Sequence, residues 1–195
     1  MRLNTKSFLW YKLFNSSFTG LSIGMLFTIY DPLDPLVYSA GGIFLAIAML
    51  IIAKFYDKLL NIKSFYYISL MVELMMLFTV IIFVLLQFSL VSALLIYIGY
   101  QFTFTFGGYL VRAETLVAQD KELLGKIDFN KQLGYLLGLA ASFLFYETLK
   151  VGFEIIEPKI QISILNYVLI VLQCFIIFFL IRSFSRIEKR GGSLI

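Results

Sequence analysis

Glu73 is the single charged side chain in the stretch 64–86, which is otherwise apolar apart from scattered hydroxyls. It lies about nine residues into that stretch, so a helix would carry it ~13 Å from its start at 1.5 Å per residue. A carboxylate there can carry a proton, hold a cation, or sit neutral against a neighbouring helix, because an unpaired charge in hydrocarbon is costly by several kcal/mol. Tyr66, Ser69 and Met76 would share its face, and Lys12 is a candidate partner.

Other polar side chains recur at helical spacing. Tyr97, Gln101, Thr105, Gly108 and Arg112 are four or three residues apart, as are Lys12, Asn15, Thr19 and Ser22, while Asn166 and Gln173 are separated by seven. Such spacing keeps each set on one helix face. A polar face turned to lipid loses its hydrogen bonds, so each should meet another helix or a wet cavity. Interhelical hydrogen bonds of ~0.6 kcal/mol per pair would satisfy them equally well.

Several chemistries lack their residues. There is no histidine, which removes histidine-ligated haem, a histidine zinc site and a Ser–His pair. No glycine-rich phosphate loop and no clustered aspartates for magnesium occur, so neither metal nor cofactor is expected, nor an enzyme. The lone Cys174 can form no intrachain disulfide.

The elements that must position these residues are apolar and long. Of 195 residues, 61% are hydrophobic and 14% charged, with a mean hydropathy of +0.92. That lies far outside the usual mix for a soluble domain. The runs predict an all-α polytopic membrane protein as one bundle of six transmembrane helices, near 8–30, 36–56, 64–86, 91–112, 129–149 and 160–184. No charge appears from Leu74 to Val111, too long for one crossing of roughly 20 residues, so a turn is expected within Gln87 to Ser92. Runs apolar on every face argue against a barrel, which needs alternation. The connection 113–128 has mixed charges and reads as a cytoplasmic loop with a short surface helix.

Charge sets the expected orientation. With the N-terminus inside, 14 of the 16 basic residues fall on the inner side, among them Arg112, Arg186, Lys189 and Arg190, leaving only Lys150 and Lys159 outside. The outer loops take Asp31, Asp34, Glu154, Glu157 and all three prolines. Both termini are therefore expected in the cytoplasm of a cell (inner) membrane. The net charge of +4 follows from this bias and calls for no nucleic acid. Lys12 and Asn15 interrupt the first run, and no small-x-small cleavage site precedes Asp31, so this segment is expected to be a retained helix rather than a signal peptide.

Small residues mark close helix approach: Ser39, Gly42, Ala46 and Ala53; Gly134, Gly138 and Ala141; and Gly20 with Gly24. They bear on which helices touch.

Between the second and third runs, residues 53–63 (AKFYDKLLNIK) resemble the cytoplasmic signature of the major facilitator superfamily. That signature reads Gly, three residues, Asp and a basic residue, then a further Gly and basic pair. Asp57 and Lys58 match in place, Ala53 stands for the first glycine, and Asn61 and Lys63 stand in the tail. Arg112 closes the fourth run where the family often has a basic residue, and Gly134 and Gly138 carry a likeness to its fifth helix. The proline-containing antiporter version of that helix is absent.

The resemblance implies two three-helix inverted repeats, forming one half of a two-bundle transporter with its substrate site between bundles. It implies a small solute moved by alternating access, and as partner a second copy in a homodimer or a different six-helix half. The path would be lined by Asn15, Thr19, Ser22, Tyr97, Gln101 and Thr105, with Arg112 near the inner mouth. Asp57, Lys58 and Lys63 would form a cytoplasmic latch. The family places the third helix at the periphery, against proton coupling through Glu73. A second expectation, from another class, is a non-transporting membrane subunit or split-transporter half that binds another membrane protein through its small-residue faces.

Overall fold

The computed structural model describes residues 1–185; Arg186, Lys189 and Arg190, counted above among the inner cations, lie outside the described residues. The chain runs α1 (Thr5–Tyr30), α2 (Pro35–Lys54), the one-turn α3 (Tyr56–Leu59), α4 (Ile62–Leu86), α5 (Leu90–Thr105), α6 (Gly107–Ala118), α7 (Lys121–Glu147) and α8 (Pro158–Arg182). A π-helical turn at Thr148–Gly152 extends α7. Among the described residues the only strands are β1 (Arg2–Leu3) and β2 (Phe184–Ser185), which pair antiparallel. This pairing holds the start of α1 beside the end of α8.

Among the described residues, four helical stretches are long and apolar enough to cross a membrane: α2, α4, Leu90–Ala118 (α5 with α6), and α8. At 26 and 27 residues, α1 and α7 equal them in length. Both carry more polar side chains, Lys12 and Asn15 on α1 and Asp128, Asn130 and Lys131 on α7. The fold is thus helical and compatible with a multi-pass membrane protein.

Helix starts follow from capping side chains that accept otherwise orphaned backbone N–H groups. Asn4 caps α1, Asp34 caps α2 ahead of Pro35, Asn61 caps α4, and Ser89 caps α5. The long uncharged run divides at Gln87–Ser89, where Gln87 takes a φ of 46°.

The 113–128 connection differs from a loop. Helix continues to Ala118 and resumes at Lys121, leaving only Gln119 and Asp120 between. Asp120 accepts from the Glu122 and Leu123 N–H groups, so α7 begins eight residues before the expected 129. Charge moves a helix out of hydrocarbon, but it does not end one. The 36–56 segment likewise ends at Lys54 and gives way to α3.

The fourth helix breaks at Phe106, between α5 and α6. Just before the break, the Thr103 and Thr105 hydroxyls donate to carbonyls of their own helix at 2.8 and 2.9 Å, and Gly107-Gly108 follows. Back-bonded threonines and paired glycines are recognised causes of bending.

In the interior, α1 packs along α7 and against α8, while α4 packs on α8 and α5. Gly20, Gly134 and Gly138 allow the first contact. A Cβ at Gly134 or Gly138 would collide with the Leu13 or Ser17 carbonyl oxygen of α1, and one at Gly20 with the Tyr135 carbonyl of α7. Gly24 and Gly42 face open space, so only half of the Gly20/Gly24 pair is used. In contrast, α2 rests mainly on α5 and buries no residue.

Candidate functional site

Glu73 lies near the middle of α4, ~17 Å from its start, and is 2% exposed. Its carboxylate is held by three donors from two other helices. The Tyr11 hydroxyl and Asn15 Nδ2 of α1 donate to Oε1 at 2.7 and 2.8 Å, and Gln173 Nε2 of α8 donates to Oε2 at 2.8 Å. Gln173 Nε2 also reaches the Glu73 backbone oxygen at 2.9 Å. The carboxylate thus joins α1, α4 and α8. Its partners are all neutral: among the described residues no cation forms an ion pair with it.

A cavity of about 400 Å³ opens beside this carboxylate, walled by α1, α4, α5 and α8. Asn15, Thr19 and Ser22 line it from α1, Glu73 from α4, Tyr100 and Thr103 from α5, and Gln173 from α8. Phe18, Ile23, Leu26, Val72, Met76 and Phe104 complete the wall. Among lining side chains only Glu73 is ionisable to a carboxylate, and none is a lysine or arginine.

Four of the expected site residues, Asn15, Thr19, Ser22 and Glu73, therefore meet in one cavity. The fourth-helix stripe lies elsewhere. Tyr97 points at α2, its hydroxyl donating to the Tyr38 carbonyl at 3.3 Å and its ring close against Gly41. Tyr30 and Tyr38 meet its ring edge-on at 5.7 and 5.4 Å between centroids. Thr105 borders a separate apolar cavity beside Met49, Tyr56 and Tyr109. Gln101 is half-buried, and its Oε1 has no hydrogen-bond partner among the described residues. Arg112 is exposed on α6. At ~100° per residue, the Tyr97–Gln101–Thr105 stripe sits roughly a quarter-turn from the Tyr100–Thr103–Phe104 face that meets the cavity.

Lys12 pairs with Glu114 of α6 rather than with Glu73, and Lys131 of α7 binds the other Glu114 oxygen at 3.0 Å. Glu114 is 3% exposed, so two lysines neutralise one deeply buried carboxylate where α1, α6 and α7 converge. The Lys12 ammonium also lies 5.2 Å from the ring centroids of both Phe8 and Tyr11.

The loop with the superfamily-like signature folds as α3, with Asp57, Lys58 and Lys63 all exposed. Asp57 lies in the first turn of α3 and leaves the start of α4 to Asn61, whose Oδ1 accepts from the Lys63 and Ser64 N–H groups at 3.1 and 2.9 Å. Tyr109 of α6 pins the loop by donating to the Leu59 carbonyl at 2.9 Å.

Tyr11, Tyr100, Thr103 and Glu114 are absent from the sequence-based set. Tyr11 continues the Asn15–Thr19–Ser22 spacing by one step of four, so counting tyrosine hydroxyls on that stripe would have found it. Comparison with protein-family models, curated proteins and solved structures finds no match to this chain.

Proposed function

We propose that the chain is a half-size, major-facilitator-like membrane transporter. Two copies pair as a homodimer and move a small solute by alternating access between the two bundles, with the cavity between α1, α4, α5 and α8 of each copy opening onto the path. The observation that carries this reading is the cavity itself, with a polar wall contributed by four helices around a carboxylate at mid-helix depth. Polar groups at that depth commonly mark substrate or ion paths.

The packing supports a pair of three-helix repeats in a six-span chain. Exchanging α1, α2 and α4 for α5–α6, α7 and α8 maps the principal helix contacts onto one another. The contact of α1 with α7 becomes that of α5 with α2, and that of α1 with α8 becomes that of α5 with α4. The contacts α4–α8 and α1–α5 map onto themselves. With three helices in each repeat, the second copy runs inverted, as in superfamily bundles. The first and fourth spans then both line the cavity, and the exposed, apolar α2 is free for a second bundle. In this reading both termini face the cytoplasm, and α3 with Asp57, Lys58 and Lys63 lies at the inner surface.

The alternative of a non-transporting subunit would dock a partner through small-residue faces. Gly20, Gly134, Gly138 and Gly41 are already occupied within the chain, which leaves it Gly24 on α1, the remaining surface of α2 and the exposed Ala141 on α7.

Two measurements test the transporter reading together. Mass determination in mild detergent should give a particle with twice the 22.4 kDa chain mass. Proteoliposomes should take up at least one member of a radiolabelled panel of amines, sugars and amino acids, with Asn15→Ala and Thr103→Val reducing the rate. A monomer that moves none of the panel would overturn the reading.

A further inference from the structure

We infer that the cavity selects a monovalent organic cation, an amine-bearing solute with an apolar body, and that Glu73 is its counter-ion. This deepens the transporter reading and rests on it.

The first argument concerns charge. Among the described residues, Glu73 is the only carboxylate lining the cavity, and no lysine or arginine lines its wall. The nearby Lys12 is committed to Glu114, on which it converges with Lys131. When Glu73 is ionised, its charge therefore has no cation on the cavity wall to balance it. Unit charges attract several-fold more strongly there than in water, so a ligand ammonium is the complementary charge.

The second argument concerns lone pairs. A carboxylate offers about four acceptor sites. Tyr11 and Asn15 take two on Oε1, whereas Oε2 receives only Gln173. The Tyr11, Asn15 and Gln173 contacts hold the carboxylate in one orientation, and Oε2 carries one donor fewer than Oε1.

The third argument concerns the remaining wall. Phe18, Phe104, Met76 and Val72 give the cavity apolar surface and aromatic faces. A cation over an aromatic face gains roughly 0.5–2 kcal/mol, and a volume of about 400 Å³ lies at the small end of ligand pockets. An anion would meet Glu73.

Equilibrium binding to the purified full chain in lipid nanodiscs tests the inference with three probes of similar size: phenethylammonium, 2-phenylethanol and phenylacetate. Phenethylammonium should bind at least ten-fold more tightly than the alcohol, and phenylacetate more weakly than either. Glu73→Gln should remove the advantage of the cation over the alcohol. Met76→Lys, which tethers an ammonium inside the cavity, should abolish phenethylammonium binding without depending on loss of the carboxylate. Equal affinities for cation and alcohol, or a cation preference that survives both substitutions, would overturn the charge assignment and leave the transporter reading standing. Failure of all three probes to bind would overturn the cation assignment, whereas the transporter reading falls only if the uptake panel is not moved.

Discussion

Glu114 is the residue whose removal should be felt most widely, because it pairs with both Lys12 and Lys131 where three helices meet. Breaking a buried ion pair strands the remaining charges at a cost of about 3–5 kcal/mol. Glu114→Ala should therefore lower stability by that order in denaturant unfolding in detergent, and pairing it with Lys12→Met should recover part of the loss. The exposed pair Lys126–Glu122 offers the contrast: Lys126→Ala should leave the unfolding midpoint unchanged. The sequence offers Lys12 only as a candidate partner for Glu73, whereas the structure pairs it with Glu114. Nothing local links residues 12 and 114. Glu73, Asn15 and Gln173 were each visible as polar side chains in apolar runs, but their meeting was not. That convergence depends on the relative rotation of α1, α4 and α8.

At the scale of the element, the contact between α1 and α7 is set by glycines, and its tolerance should be uneven along the seam. Gly138→Val would drive side-chain atoms into the Ser17 carbonyl, whereas a Cβ at Gly24 meets open space. Helix separation must then grow, and packing is what holds apolar helices together in lipid. Gly138→Val should lower the melting temperature and raise protease sensitivity of α7, while Gly24→Ala should do neither. The sequence pattern made Gly134 and Gly138 readable as a packing face, but it could not tell which glycines of Gly20, Gly24, Gly41 and Gly42 would be used. A crossing point admits close approach over about one turn, and the crossing is a property of two helices. The break at Phe106 has the same status: its threonines and paired glycines are visible in order, but a bend matters only once a neighbour lies along it. The extra turns of α6 and α7 were hidden because charged residues read as loop when hydropathy is the guide.

For the whole molecule, the lone Cys174 provides a direct check on the membrane reading. It is exposed and well inside α8, on a surface shared with Tyr167, Val171 and Phe178. In intact membranes a membrane-impermeant maleimide should leave Cys174 unmodified, and the same reagent should label it after denaturation in detergent. Labelling of the native protein from water would place this face of α8 in contact with solvent and count against a lipid-embedded bundle. Single cysteines introduced at Arg2 and Ser185 on a Cys174→Ser background should be labelled from the same side, since these residues pair across β1 and β2.

Sequence alone determined the helical character of the chain, its apolar runs, the division near Gln87 and the isolation of Glu73, because each is a sum or an interruption along consecutive residues. Tertiary structure alone decided that Asn15, Tyr11 and Gln173 close on Glu73, that Lys12 turns to Glu114, and that the fourth-helix stripe meets α2 while its neighbouring face lines the cavity. Helical periodicity places side chains relative to their own axis, whereas the rotation of that axis against its neighbours is set by close packing at glycines. A quarter-turn suffices to exchange a cavity for a helix interface.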